Sequence, residues 1–99
     1  MFSALIAECL GTALFFSCIL SYGDPIPIAV GLLAAIYAFG KVSGGHFNCA
    51  VSFMMYLKGD INGQTFFMYV IAQLVGALLA LMWWRSLQKG SGGGGSKKK

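Results

Sequence analysis

The chain has 99 residues, 58% of them hydrophobic and only 10% charged, where a soluble domain carries about 25% charged residues; an ordinary soluble globular fold is thereby excluded. The net charge of +4 falls to +1 once the three terminal lysines Lys97, Lys98 and Lys99 are set aside, so no basic face remains for a nucleic acid. Cysteines number three, Cys9, Cys18 and Cys49. The count is odd and all three sit in apolar stretches, which argues against a disulfide framework and for Cys9 and Cys18 as small packing residues.

The first element is predicted over Phe2–Ser21, apolar nearly throughout and long enough to cross a bilayer, which takes about 20 residues. With no basic leader and no cleavage site, Met1–Tyr22 reads as a span rather than a signal peptide. Glu8, in Ala7-Glu8-Cys9-Leu10-Gly11-Thr12, is its exception. A carboxylate inside a span is costly, so it either reaches headgroups from near the interface or faces the bundle interior or a cavity. Tyr22-Gly23-Asp24-Pro25-Ile26-Pro27 is a turn by composition. A second apolar segment is predicted over Ile28–Phe39, with Pro27 suited to a helix start, and is short for a span.

Next comes Ser43-Gly44-Gly45-His46-Phe47-Asn48-Cys49-Ala50-Val51, polar and glycine-rich between apolar runs. Ser43 to Gly45 do not sustain a helix well. Asn48 is a good helix N-cap, and Ala50–Leu57 then reads as two turns of apolar helix. That run is too short to span and suits a re-entrant element. Irregular backbone at membrane depth survives only where protein covers it or where it lines a water-filled cavity. A half-helix starting there aims unpaired N–H groups and the positive end of its dipole at the midplane. Gly59-Asp60-Ile61-Asn62-Gly63 is the following turn. The third span is predicted over Thr65–Trp84. It contains one polar residue, Gln73, read as an internal hydrogen-bond partner of the loop in preference to a pore-lining group, and a small-residue face at Gly76, Ala77 and Ala80 for close helix contact. Trp83-Trp84-Arg85 reads as an interfacial belt, with Tyr22 and Tyr56 in the same part. Residues 1–89 form one unit. Residues 90–99 have a flexible Gly/Ser linker composition followed by lysines, read as an engineered addition outside the fold. The expected fold class is an all-α membrane protein: three transmembrane helices plus a re-entrant half-helix.

The Ser43–Val51 stretch resembles the first pore loop of the aquaporin (major intrinsic protein) family, whose motif usually reads Asn-Pro-Ala. Ala7–Thr12 resembles the first helix of that family, and Tyr69-Val70-Ile71-Ala72-Gln73-Leu74-Val75-Gly76-Ala77 resembles the third. The three matches fall in family order and cover about residues 1–87, the first half of an ordinary member. The resemblance implies half of an aquaporin fold and a passive channel for water or small neutral solutes, with no cofactor, metal or catalytic residue. It implies that Asn48, with Cys49, Ala50, Val51 and Ile28, contacts the permeating solute, the Asn48 amide briefly hydrogen-bonding it. It implies that Glu8 braces the loop, with His46, Gln73, Gly44 and Gly45 in support.

Three departures bear on what would pass. Cys49 replaces the usual proline, losing a preset φ at a cost on the order of 1 kcal/mol and placing a thiol beside the pore centre. Val51 follows the motif, and no arginine precedes Arg85, whereas the family places a pore-narrowing arginine after its second motif. Ile28 stands where the second helix usually has an aromatic filter residue. The expected constriction is more apolar and wider, with relaxed water selectivity. One copy supplies three spans and one half-helix, and the family's pore needs two such sets in inverted orientation. The expected partners are therefore the lipid bilayer and a second copy in an antiparallel homodimer, further assembled as in the family's tetramer of pores. Lys41 and Lys58 on one side balance Arg85 and Lys89 on the other, so the positive-inside rule has little to act on. The competing readings are a non-conducting membrane interaction subunit and an excised or engineered half of a longer channel.

Overall fold

The computed structural model describes residues 1–90, which form four helices: α1 (Phe2–Ser21), α2 (Pro25–Ser43), α3 (Cys49–Lys58) and α4 (Gly63–Gly90). The tail at 91–99 lies outside the described residues. Three of the helices, α1, α2 and α4, are long and apolar enough to cross a membrane, and α3 is a shorter apolar helix.

Helix α2 is longer than the sequence suggested. It begins at Pro25 rather than Ile28 and continues through Gly40 and Lys41 to Ser43. Both prolines fall in the first turn, where backbone N–H groups have no intrahelical partner anyway, and the first helical bond runs from Ile28 N–H to Asp24 O. At the other end the chain keeps helical bonding until Gly44, whose φ of +96° closes the helix with its N–H on Gly40 O at 2.7 Å. A segment that looked short is thus a full span of 19 residues, and Ser43 belongs to the helix rather than to the loop. Likewise α4 starts at Gly63, where Asn62 Oδ1 accepts the Thr65 N–H at 2.8 Å, and runs past Trp84 to Gly90.

Close contact of small residues brings the spans together. A side chain on Gly76 would collide with Cys9 O and Thr12 on α1, and one on Gly31 would collide with Cys18. Glu8 lies level with Ser43 and Gln73, and Cys18 level with Gly31, so α1 runs antiparallel to α2 and parallel to α4. Helix α3 runs back alongside the first half of α4: Ser52 meets Gln73, and Tyr56 stacks on Phe66 with centroids 5.4 Å apart. Most of the buried residues are small or polar, Ala7, Ala35, Ala72 and Ala80 beside Glu8, Thr12, Ser52 and Gln73, with the rings of Phe47 and Tyr69 as the large exceptions. Large apolar side chains such as Phe2, Leu33, Tyr37, Phe53 and Leu57 point outward. This inside-out distribution suits a lipid solvent, where packing of small faces and internal hydrogen bonds replace the hydrophobic drive.

Candidate functional site

The site is the link between α2 and α3. Phe47 packs against Gly11, the tenth of the 20 residues of α1, so the link lies about 15 Å from either end of that helix at 1.5 Å per residue. At that depth along a helix long and apolar enough to cross a membrane, backbone polar groups need partners.

Glu8 supplies them. It is fully buried, and each carboxylate oxygen accepts two hydrogen bonds. Oε2 accepts from Ser43 Oγ at 2.6 Å and from the His46 N–H at 3.0 Å. Oε1 accepts from the Phe47 N–H and from Gln73 Nε2, both at 2.8 Å. Two successive backbone N–H groups converging on one anion form a nest, here closed on an internal carboxylate. Left-handed backbone at Gly44 (φ +96°) and Gly45 (φ +69°) brings those N–H groups round to it, a geometry that glycine adopts without steric cost.

Around Glu8 a second ring of bonds fixes the loop. Gln73 Nε2 also donates to Ser52 Oγ at 2.8 Å. Ser52 Oγ in turn lies 2.8 Å from His46 Nδ1, a hydrogen bond whose direction follows the tautomer of the imidazole. The Tyr69 hydroxyl donates to Ser43 O at 2.6 Å, and its ring meets the His46 ring edge-on at 5.0 Å. Thr12 Oγ1 and Gln73 Oε1 are buried and have no hydrogen-bond partner among the described residues.

The link uses its backbone donors and acceptors unequally. The N–H groups of Gly44, Gly45, His46 and Phe47 bond to Gly40 O, Ser43 Oγ and the two Glu8 oxygens. No donor among the described residues meets the carbonyl oxygens of those same four residues. Beside them Asn48, exposed and extended (φ −164°), caps α3 by accepting the Ala50 N–H on Oδ1 at 2.8 Å. That bond occupies the oxygen and leaves both amide protons for another acceptor. Phe47 is fully buried, so the carbonyl acceptors of Gly44, Gly45 and His46 and one amide donor, Asn48, stand side by side at mid-span.

Of the residues singled out from the sequence, Glu8, His46, Gln73 and Gly45 are drawn into one hydrogen-bonded unit with Ser43, Ser52 and Tyr69, while Gly44 closes α2 beside it through its N–H on Gly40 O. Asn48, Cys49, Ala50 and Val51 form the first turn of α3 at its open end, Cys49 and Val51 half-buried and Ala50 exposed. Ile28 is not brought to them. It sits in the first turn of α2, at the end of the span away from Ser43. Ser52, Tyr69, Phe47 and Gly11 contribute to the site without having been assigned a part from the sequence. A serine one turn into an apolar half-helix was a readable signal, whereas the reach of Tyr69 to a carbonyl 26 residues earlier was not. Among the described residues, no cluster of His, Cys, Asp or Glu is placed to hold a metal ion. A groove of about 430 Å³ opens elsewhere, between the C-terminal halves of α1 and α4, lined by Ser17, Cys18, Ser21, Tyr22, Ala80 and Trp83.

The family model for Major intrinsic protein matches residues 1–98. The chain is 37% identical over 84 residues to Glycerol uptake facilitator protein-like 6 of Lactiplantibacillus plantarum, an alignment covering 76% of this chain and 39% of that protein. It is 40% identical over 57 residues to Aquaporin Z of Photorhabdus laumondii subsp. laumondii, covering 56% of this chain and 25% of that protein. The matched part thus spans well under half the length of these relatives. No solved structure matches the chain.

Proposed function

The chain belongs to the major intrinsic protein family, an integral membrane protein with half of the aquaporin fold, and from that premise we propose that it forms a passive channel for water and small neutral solutes, its pore completed by an antiparallel second copy. The observation that carries the reading is the unequal use of the link at residues 44–47: all four N–H groups bond to the protein, and the four carbonyls receive no bond from it. At mid-bilayer such a row is tolerable only against water or more protein. A solute entering it exchanges hydrogen bonds with water for bonds to the carbonyls of Gly44, Gly45 and His46, Phe47 being fully buried, then accepts from the Asn48 amide. The N-terminus of α3 adds a positive dipole end at the same place, unfavourable to a cation and tolerant of a neutral molecule. The relatives are named for glycerol uptake and as an aquaporin, so both solutes belong in the test.

An antiparallel homodimer supplies what one copy lacks. A two-fold axis in the membrane plane makes the interface self-complementary and brings a second half-helix into the opposite leaflet, as inverted repeats do. The groove between α1 and α4 lies in that leaflet. Lys41 and Lys58 at one end against Arg85 and Lys89 at the other allow both insertions.

The test is stopped-flow light scattering of proteoliposomes, first with an impermeant osmolyte and then with glycerol, with reporters at both ends for orientation. Shrinkage faster than protein-free vesicles, from protein inserted both ways, is expected. Shrinkage at the protein-free rate for both solutes, from folded protein, overturns the channel reading and leaves a non-conducting interaction subunit. Conduction with a single orientation overturns the antiparallel pair alone.

A further inference from the structure

Phe47 is the one non-glycine residue with positive φ among the described residues, at +52°. Asn, Asp or Gly adopt that conformation readily, whereas a bulky aromatic there is unusual and held by its surroundings. The surroundings are specific. Its ring is 0% exposed and fills a notch in α1 at Gly11: a side-chain carbon there would overlap ring atoms Cε1, Cδ1 and Cζ. The other flank of the ring packs near Gly45. Three residues earlier on the same face of α1, Glu8 holds the N–H of Phe47 at 2.8 Å. One helix face therefore grips one loop residue at two points, its backbone and its ring. The next residue is Asn48, and a rotation at position 47 swings the Asn48 amide directly.

We propose that Gly11 and Phe47 form a ring-in-notch lock that positions Asn48, so that neither touches a solute yet both set the efficiency of the path. Its consequence for conduction rests on the channel reading, whereas the lock itself does not. Size complementarity gives the test. Gly11→Ala fills the notch, Phe47→Leu shrinks the occupant, and the double variant restores the fit. Phe47→Gly removes the ring while keeping the left-handed backbone accessible.

The position of the loop is read by the labelling rate of Cys49 with a small methanethiosulfonate reagent, in a Cys9→Ala, Cys18→Ala background. Conduction is read by osmotic shrinkage per folded protein. Gly11→Ala is expected to change the Cys49 labelling rate about fivefold and to reduce water permeation about tenfold, because small displacements of a positioning group are costly. The double variant should return both towards the parent, which two independent packing losses would not do. Phe47→Gly should change the labelling rate as Gly11→Ala does, and it decides the matter if Gly11→Ala fails to fold. Labelling at the parent rate in Phe47→Gly, or a folded double variant no nearer the parent than Gly11→Ala, overturns the lock. Parent vesicles that shrink no faster than protein-free ones overturn the channel reading instead, and the labelling rates still decide the lock.

Discussion

Replacing Glu8 by glutamine removes a negative charge while changing the shape of the side chain very little. The four donors around it do not tolerate the change equally. The amide oxygen serves best in place of Oε1, where it keeps the Phe47 N–H and Gln73 Nε2. The new NH₂ then faces Ser43 Oγ, which turns and accepts, and the His46 N–H, which cannot. A buried donor left without an acceptor costs about 1–3 kcal/mol, and the remaining bonds lose their charge assistance. Burying a neutral amide instead of a carboxylate recovers part of this. A net loss of about 2 kcal/mol follows, equivalent to about a 30-fold shift in the opening of the loop. The loss falls on the link, because the helix contacts at Gly76 and Gly31 are untouched. Hydrogen–deuterium exchange resolved to the amides of His46 and Phe47 measures it: Glu8→Gln should exchange there about 30-fold faster, with the centre of α4 little changed. Equal exchange at both amides would refute the claim that Glu8 holds the loop.

Three further outcomes follow from the same contacts. Cys49→Pro should stabilise the protein by about 0.4–1 kcal/mol in thermal unfolding, since position 49 opens α3 and Asn48 already has the extended backbone (φ −164°, ψ 127°) that a following proline requires; a destabilised variant would contradict this. Tyr69→Phe should cost about 1 kcal/mol for the bond to Ser43 O, read in the same assay, and unchanged stability would remove Tyr69 from the site. Gly76→Leu should push α1 and α4 apart, because even one carbon there meets the backbone of Cys9, and should cost about 1–3 kcal/mol as overpacking; an unaffected midpoint would contradict the close approach.

Much of the architecture can be read from the sequence because a bilayer allows few solutions. Two apolar runs of span length, a short apolar run behind an Asn cap, and a glycine-rich polar stretch between them leave little but a re-entrant loop. Glu8 and Gln73 stand out for the same reason: a carboxylate and an amide inside spans must find partners, and they find the loop and each other. Helix α2 was misjudged at both ends because proline, glycine and lysine are terminators only by tendency. Pro25 and Pro27 fall within a first turn that needs no donors, and Gly40 is tolerated inside a well-packed span. Phe47 gives no sequence signal, because an aromatic in an apolar chain does not announce a left-handed backbone. Its role depends on Gly11, 36 residues away, lacking a side chain. The separation of Ile28 from the Asn48 turn likewise depends on how far α2 extends, which composition alone does not fix.

The central claim is that the open end of α3 at Asn48 lies on an aqueous path across the bilayer. Osmotic shrinkage of proteoliposomes carrying the parent protein and Asn48→Leu, each with and without a thiol-directed mercurial, tests it most directly. Leucine keeps the volume but removes both the cap acceptor and the free amide protons. Fast shrinkage of the parent, abolished in Asn48→Leu and blocked by mercurial at the neighbouring Cys49, is the predicted result. Fast shrinkage that survives both Asn48→Leu and the mercurial would contradict the account, because water would then be crossing by a route that does not pass this turn.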